Sequence, residues 1–225
     1  MKPPRSSGHH LPPVEDTPHD PGLKIVSWNL LRLVGATLDE LCRLIEAEKP
    51  DLLLLQEATA MVDSLPGQVG GHYARIPQPG RIHGLATWTP AAPVAPTVVV
   101  RLPSGALFHR VSQITAMEGF SVANVHLSHG QVLNRRQLRA VSAHLPAHAA
   151  VLGDFNLVGP VLLPGFRDVG PRRATHVAGK VVPLRLDRCL VRGMACSHRE
   201  VLHRRSSDHH PIVVRLEMAE VRRTG

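Results

Sequence analysis

The sequence predicts an α/β fold in which mixed β-sheets form a sandwich with helices packed against them. Short apolar runs of strand length, bounded by Gly and Pro, outnumber the segments with helical periodicity. The helical segments interrupt the strands early and midway along the chain and do not form a block of their own. The chain has 225 residues, 43% of them hydrophobic, which is enough for one domain with a sizeable core.

The first strand and the first helix follow a proline-rich segment. Residues 1–22 contain six prolines, which leave little room for helix or sheet hydrogen bonds, so we expect a flexible tail there. The run LKIVSWN, which begins at Leu23, is rich in β-branched and apolar residues and predicts a strand. Thr37 and Glu40 have the spacing of a capping box, and apolar residues follow at helical spacing until Pro50 ends the helix.

Strand patterns dominate the rest of the chain. Asp51 precedes the apolar run LLLLQE, and beyond Thr59 we expect a meander of short strands in HYARIP, GLATWTP, TVVVRL, ALFHRVSQI and FSVANVHL. A second helix is predicted at about Leu133–Leu145, followed by strands in AAVLGDFN, VVPLRLDRCLV and HHPIVVRLEM. The sequence thus predicts one folded domain over residues 23–217 and a short basic tail over residues 218–225.

Charge is unevenly distributed along the chain. The 26 Lys and Arg residues exceed the 18 Asp and Glu residues, for a net charge of +8. Residues 1–63 contain 6 basic and 10 acidic side chains, whereas residues 64–225 contain 20 basic and 8 acidic side chains. A basic surface suits a polyanion such as nucleic acid or a phosphorylated surface. Arginine bias alone would also produce this excess, so the charge does not decide the partner.

Neither membrane insertion nor export is predicted. The longest stretch without charged residues, Ile82–Val100, contains three prolines, which excludes a membrane helix. Residues 1–22 lack the apolar core of a signal peptide. The three cysteines, Cys42, Cys189 and Cys196, form no CxxC motif, which argues against a thiolate zinc site and a disulfide framework. We therefore expect a cytoplasmic protein.

Polar residues follow the apolar runs at the predicted strand ends, where α/β sheets build their sites. Carboxylates and amides supply the oxygen ligands that Mg²⁺ prefers, and imidazoles handle protons. Taken singly, each residue could be a turn or surface residue, so the prediction depends on the whole set. The set is Asn29, Glu57, His126, Asp154, Asn156, Asp187, Asp208 and His209.

The ordered motifs WN, LQE, HL, GDFN, RLD and SDHHP resemble the endonuclease/exonuclease/phosphatase superfamily. This superfamily includes pancreatic-type deoxyribonucleases, exonuclease III-like enzymes, neutral sphingomyelinases and inositol-phosphate phosphatases. The resemblance extends from Leu23 to about Leu216. It implies a four-layer α/β sandwich in which two mixed β-sheets pack face to face and helices flank them. It also implies a phosphoesterase that depends on Mg²⁺, with Mn²⁺ as the alternative cation.

The resemblance implies that one group of residues serves the cation and the attacking water. Glu57 would be the principal metal ligand, with Asn29 beside it. Asp208 would support the metal or the loop that carries His209. Asp154 would orient or deprotonate the water that attacks phosphorus.

A second group would hold the phosphate. The resemblance implies that Asn156 and His126 contact it, and that His209 contacts a non-bridging oxygen or transfers a proton. Asp187 would fix the tautomer of His209 as its carboxylate partner. His210 would point away, because neighbouring residues of a strand face opposite sides.

The sequence leaves the class of phosphate ester that is the substrate open. We expect a monomer that hydrolyses phosphodiester bonds of nucleic acid by metal-assisted in-line attack of water. The alternatives are a phosphatase or phosphodiesterase acting on inositol phosphates or phospholipid headgroups, and a catalytically silent nucleic-acid-binding module. The chain has only seven aromatic residues, which argues against base stacking, and Leu31 replaces a polar residue usual in apurinic endonucleases of this superfamily.

Overall fold

Two six-stranded β-sheets form the body of the protein. The computed structural model describes residues 22–105, 109–179, 181–203 and 206–219. Within these ranges it contains fourteen β-strands and three α-helices. The predicted α/β fold with two packed mixed sheets is confirmed. None of the helices in these ranges has the length and apolar character that a membrane crossing needs.

The elements have the following bounds. The strands are β1 (Leu23–Asn29), β2 (Leu52–Thr59), β3 (His72–Pro77), β4 (His83–Thr89), β5 (Val98–Arg101), β6 (Val111–Met117), β7 (Phe120–His126), β8 (Ala149–Asp154), β9 (Arg167–Asp168), β10 (His176–Ala178), β11 (Val182–Leu184), β12 (Asp187–Arg192), β13 (Met194–Val201) and β14 (Ile212–Met218). The helices are α1 (Leu38–Glu48), α2 (Leu65–Val69) and α3 (Gln131–Ser142), with 3₁₀ turns at Leu31–Leu33 and Ala60–Ser64.

The two sheets have the same plan. The first has the strand order β13-β14-β1-β2-β4-β3, and the second has the order β5-β6-β7-β8-β12-β9. Each has one parallel pair at its centre, β1 with β2 and β7 with β8, and every other pairing is antiparallel. Parallel neighbours require a crossover, which α1 supplies in the first sheet and α3 in the second. The carboxyl ends of four central strands lead to the site described below.

Three apolar clusters hold four layers together. One lies between α1 and the first sheet, where Leu41, Leu44 and Ile45 pack on strand residues. Another lies between α3 and the second sheet, where Leu138 and Val141 are fully buried. The third joins the inner faces of the two sheets. The order is therefore helix, sheet, sheet, helix, and burial of these side chains drives the assembly.

Helix α1 begins where the sequence predicted. The Glu40 N–H donates to Thr37 Oγ1 at 3.2 Å, and the Thr37 N–H donates to Glu40 Oε2 at 3.0 Å. This reciprocal capping box satisfies two backbone groups that would otherwise lack partners. The helix ends at Lys49, which has a left-handed conformation (φ 45°).

Several predicted elements differ from the structure. Helix α3 spans Gln131–Ser142, so the predicted helix at 133–145 began and ended too late. The predicted meander is split, because β3 and β4 join the first sheet whereas β5 to β7 join the second. The run VVPLRLDRCLV forms two strands, β11 and β12. The basic run after Met194 is strand β13, whose exposed residues lack the apolar alternation that would have revealed it.

Parts of the domain prediction cannot be compared with the structure. The predicted tails, residues 1–22 and 218–225, lie outside the described residues except for Gly22, Met218 and Ala219. Residues 106–108, which open one of the predicted strands, also lie outside them.

Gly153 lets the two parallel strands of the second sheet meet just before the site. A Cβ at this residue would lie 2.0 Å from the Val125 carbonyl oxygen, and its φ of 135° is a conformation that side chains rarely adopt. Glycine is therefore required immediately before Asp154.

Candidate active site

The candidate site is a cleft of about 270 Å³ at the carboxyl ends of the two parallel strand pairs. Strands β1, β2, β7 and β8 each bring a polar residue to this edge, as expected for an α/β site. The structure brings seven of the eight predicted residues to the cleft wall, and the eighth, Asp187, lies fully buried behind His209. The seven are Asn29, Glu57, His126, Asp154, Asn156, Asp208 and His209.

Asp154 is the centre of the polar contacts. Its Oδ2 accepts a hydrogen bond from Asn29 Nδ2 at 3.0 Å, and its Oδ1 accepts one from the Asn156 N–H at 2.9 Å. The same Oδ2 lies 3.5 Å from His126 Nε2 and 3.7 Å from His209 Nε2. Burial raises the pKa of Asp154 to about 6, against the lowering effect of His209. The carboxyl is thus fixed in place and has a pKa suited to accepting a proton near neutral pH.

His209 connects Asp154 to Asp187. His209 Nδ1 lies 2.8 Å from Asp187 Oδ2, which leaves Nε2 facing Asp154 and the cleft. The backbone of His209 is held as well, since its N–H donates to Ser207 Oγ at 3.2 Å and its carbonyl accepts from Trp28 Nε1 at 3.1 Å. Burial lowers the pKa of His209, but Asp187 and then Asp154 outweigh it and raise this pKa to about 10. The ring is therefore an imidazolium at neutral pH.

Glu57 lies at a bulge in β2. The register with β4 shifts between Leu55 and Ala58, and Glu57 has a left-handed φ of 56°. Its Oε2 is buried and has no hydrogen-bond partner among the described residues, although Arg32 Nε lies 3.4 Å away. Burial raises the pKa of Glu57, opposed by Arg32 and Arg110. A buried carboxylate oxygen that lacks a partner is a fitting ligand for a cation.

His126 and Asn156 complete the predicted set. Burial lowers the pKa of His126 well below its usual value, so its imidazole is neutral. Asn156 has a left-handed φ of 48°, and its Nδ2 donates to the Leu127 carbonyl at 3.0 Å. This bond fixes the amide beside Asp154.

Backbone strain is concentrated at the cleft. Among the described residues, five non-glycine residues have a positive φ, and four of them line the cleft: Leu31, Arg32, Glu57 and Asn156. Such conformations cost about 1–3 kcal/mol each and persist where the surrounding structure requires them. Their clustering supports a functional cleft.

Sequence reasoning missed several residues of the site. His176 packs its ring against His209 with centroids 4.4 Å apart, and its Nδ1 lies 3.8 Å from Asp208 Oδ2. It reaches the site from strand β10 through an isolated bridge to His209, for which the sequence offers no local signal. A second missed set also lines the cleft and includes Gln78, Arg81, His83 and Arg110.

Among the residues that the structure describes, two groups of side chains could hold a metal ion. His176, Asp208 and His209 form one, and Asp154, Asp187 and His209 form the other, each with its candidate ligand atoms within 4.8 Å of one another. Glu57 belongs to neither group but lines the same cleft as Asp208, whose charge raises the pKa of Glu57. The cleft thus offers both oxygen and imidazole ligands.

The fold and this cleft define a metal-dependent hydrolase of phosphate esters. Residues 26–209 match the model of the endonuclease/exonuclease/phosphatase family, and the chain belongs to this family. Its members are hydrolytic phosphoesterases, so the hypothesis of a catalytically silent binding module is set aside. No curated protein matches the chain.

Solved structures share the fold at low sequence identity. An endonuclease/exonuclease/phosphatase from Bacteroides vulgatus has a TM-score of 0.73 and 14% identity, covering 88% of this chain and 99% of its own. D. rerio TDP2 complexed with single-strand DNA product has a TM-score of 0.70 and 18% identity, with coverages of 88% and 100%. The mannosyl-6-phosphatase Bt3783 of Bacteroides thetaiotaomicron has a TM-score of 0.70 and 15% identity, with coverages of 87% and 100%.

Proposed function

We propose that the protein hydrolyses phosphodiester bonds of nucleic acid, with Mg²⁺ as its cation, by in-line attack of water at phosphorus. The observation that carries this proposal is the convergence of Asp154, His209 and Glu57 on one cleft. These side chains supply a proton acceptor, a fixed positive charge and a carboxylate ligand, which are the groups that such a displacement needs.

Asp154 orients the attacking water and takes its proton. The carboxyl has a pKa of about 6 and is therefore mostly ionised at neutral pH, while still basic enough to assist proton transfer. Hydrogen bonds from Asn29 and Asn156 hold both of its oxygens, so the direction in which the water is held is set before substrate binds.

His209 stabilises the charge that develops on the phosphoryl group. Its Nδ1 is occupied by Asp187, so Nε2 is the nitrogen that donates into the cleft, either to a non-bridging oxygen or to the leaving oxygen. His126, buried and neutral, and Asn156 hold the phosphate beside it. These contacts are made by groups fixed in the fold, which keeps the cost of reorganisation low.

Glu57, Asp208 and Asn29 would hold the cation. The fit rests on the buried Glu57 Oε2 and on the mutual repulsion of Glu57 and Asp208, both of which a cation would relieve. Asn29 Oδ1 accepts the Leu31 N–H at 3.1 Å and has a second lone pair to offer. Three oxygen ligands favour Mg²⁺, with Mn²⁺ as the alternative. When bound, the ion supplies charge neutralisation at the phosphoryl oxygens.

Two observations support nucleic acid as the substrate: the excess of basic residues, and a protein of similar fold that was solved with DNA. Residues 64–225 contain 20 basic and 8 acidic residues, which suits a polyanion. The similar fold of TDP2 complexed with single-strand DNA product supports the same class. The mannosyl-6-phosphatase of similar fold favours a second candidate, a phosphatase for small phosphate esters such as inositol phosphates. Phospholipid headgroups are the remaining alternative.

We also propose that the enzyme acts as a monomer in the cytoplasm. All three cysteines are free thiols in the structure, which suits a reducing compartment. The molar mass from light scattering of the purified protein tests whether it is a monomer. Cell fractionation tests whether it is in the cytoplasm.

A substrate panel tests the proposed function. Purified protein would be incubated with single-stranded and double-stranded DNA, RNA, inositol phosphates and a generic phosphomonoester, each with Mg²⁺, Mn²⁺ or EDTA. We expect cleavage of nucleic acid with either cation, faster with Mg²⁺, and none with EDTA. Release of phosphate from the small esters without cleavage of any nucleic acid would replace the proposal with the phosphatase alternative.

A further inference from the structure

One part of the cleft wall carries the nitrogen-bearing side chains of Gln78, His83 and Arg110. Gln78 and Arg110 are only 3% and 8% exposed, and both line the cleft. Arg110 Nη1 donates to Gln78 Oε1 at 3.1 Å, which turns the Gln78 amide nitrogen away from the guanidinium. Gln78 Nε2 and His83 Nδ1 are buried atoms without a hydrogen-bond partner in the part of the chain that the structure describes. Buried polar atoms of this kind are costly unless a partner arrives, and the Gln78 amide nitrogen can only donate, so its partner must be an acceptor.

Positive charge is concentrated around these three residues. Arg32, Arg81 and Arg110 line the cleft, and all three lower the pKa of the half-buried His83. Burial is the main cause that lowers the pKa of Arg110, and Arg81 lowers it further. The charges that oppose this cluster, Glu57 and Asp154, lie on the catalytic side. An anion between these cations would remove their repulsion and the cost of the buried donors together.

This wall is separate from the centre around Asp154. Gln78 follows β3, His83 begins β4 and Arg110 precedes β6, whereas the catalytic groups lie at the ends of β1, β2, β7 and β8 and in the loop before β14. His83 of β4 pairs with Thr59 of β2, and Thr59 lies two residues beyond Glu57. None of the three wall residues is among those proposed to contact the reacting phosphate, which are His126, Asn156 and His209.

We propose that Gln78, His83 and Arg110 bind a second phosphate of the substrate, namely a phosphoryl group that ends the nucleic-acid strand. This inference rests on the proposed function and deepens it. A terminal phosphate is attached to the strand on one side only, so it can reach donors as deeply buried as Gln78 and Arg110. An internal phosphate carries sugars on both sides and cannot enter as far. The enzyme then cleaves nucleic acid that ends in a phosphate faster than nucleic acid without such an end.

The first test compares strand ends. Oligonucleotides of one sequence with a 5′-phosphate, a 3′-phosphate or hydroxyl ends would be cleaved by wild type and by Gln78→Glu. The carboxylate that this variant introduces keeps the side-chain shape but pairs with Arg110 and repels an anion. We expect kcat/KM at least tenfold higher for one phosphate-ended substrate than for the hydroxyl-ended one in wild type, and this ratio to fall to near one in Gln78→Glu.

Two further variants keep the result interpretable. Arg110→Met removes the buried charge and should abolish the same preference, and Gln78→Glu covers the case in which Arg110→Met does not fold. Arg43→Ala removes a positive charge from the exposed side of α1 and should leave both the rate and the ratio as in wild type. Equal rates for all three ends in the wild-type enzyme would overturn the inference.

A binding measurement separates this inference from the proposed function. Calorimetry with inorganic phosphate, in EDTA, should show binding to wild type at least tenfold tighter than to Gln78→Glu. If no nucleic acid is cleaved but this difference is found, the proposed function fails while the phosphate subsite stands. If phosphate binds equally to both proteins, the subsite is wrong whatever the substrate.

Discussion

Asp187 and Asp154 lie side by side on the neighbouring antiparallel strands β12 and β8, and a single imidazole contacts both carboxylates. Asp187 Oδ2 lies 2.8 Å from His209 Nδ1, and Asp154 Oδ2 lies 3.7 Å from His209 Nε2. In-register partners of an antiparallel pair present their side chains on the same face of the sheet. The sheet therefore sets the distance between the buried carboxylate and the one that faces the cleft, and His209 fills the space between them.

Asp187→Asn tests this arrangement. An amide at this position neither holds the imidazolium charge nor enforces the tautomer, so kcat should fall about 100-fold or more with little change in KM. The measurement is steady-state cleavage of the best oligonucleotide, with circular dichroism to verify the fold. Asp39→Asn, at an exposed position on α1, is the matched control and should cleave at the wild-type rate. If Asp187→Asn cleaves at the wild-type rate, the Asp187–His209 pair takes no part in the reaction.

Glu57→Gln should weaken the use of Mg²⁺ and stabilise the metal-free protein. Burial raises the pKa of Glu57, which means that the ionised carboxylate is disfavoured in the folded state. A neutral amide avoids this cost, so the free energy of unfolding in EDTA at pH 7 should rise. The Mg²⁺ concentration for half-maximal activity should rise at least tenfold. Glu46→Gln, on the exposed side of α1, controls for the loss of one acidic charge. An unchanged Mg²⁺ dependence would place the cation elsewhere.

The activity should depend on pH through Asp154 and His209. Asp154 must be ionised to accept a proton, so the rate should rise with pH through about 6. His209 must be protonated, so the rate should fall as pH passes about 10. A pH–rate profile of kcat/KM measures both limbs, and His209→Asn should remove the alkaline one from any residual activity.

The stability of the protein should also depend on pH through His209. Its pKa is higher in the folded state than the usual 6.5, so its stabilising contribution is fully present below pH 6.5 and is lost as pH rises through about 10. Urea unfolding at several pH values in EDTA should show this loss in wild type but not in His209→Asn. If the free energy of unfolding of His209→Asn falls with pH as it does in wild type, other groups cause the loss.

The side chain of Asn124 should stabilise the fold through its buried hydrogen bonds. Its side chain accepts from Gln56 Nε2 at 2.8 Å and donates to the carbonyls of Leu55 and Ala86 at 3.1 and 3.0 Å, so it joins the two sheets. Asn124→Ala leaves these buried groups without partners and should lower the free energy of unfolding by about 3 kcal/mol. Urea unfolding followed by tryptophan fluorescence measures the loss. Gln68→Ala, at an exposed position on α2, should have little effect.

The sequence predicts the parts of the fold that depend on local pattern. Helix α1 is an example, because its capping box and apolar spacing lie within a dozen residues. The strand ends that carry Asn29 and Asp154 are another, because a buried strand followed by a polar residue is a short-range signal. The edge strand β13 has no such signal, since its exposed residues show no apolar alternation.

The parts of the site that depend on distant contacts could not be predicted. The bulge at Glu57 arises from pairing with β4, about thirty residues further along the chain. His176 meets His209 only because β10 forms a bridge to it. Gln78 and Arg110 come together from opposite sheets. Their sequence neighbourhoods carry no motif, and only the assembled sandwich brings them to the cleft.

Nicking of supercoiled plasmid by wild type and Asp154→Asn, each with Mg²⁺ and with EDTA, tests whether Asp154 and a divalent cation carry out phosphodiester hydrolysis. Asparagine has the same shape and keeps an oxygen for one of the two donors, Asn29 Nδ2 or the Asn156 N–H, and circular dichroism verifies that the variant folds as the wild type does. We expect wild type to nick the plasmid only with Mg²⁺, and Asp154→Asn to nick it at least 100-fold more slowly. Nicking by folded Asp154→Asn at the wild-type rate, or nicking that persists in EDTA, would rule out this mechanism.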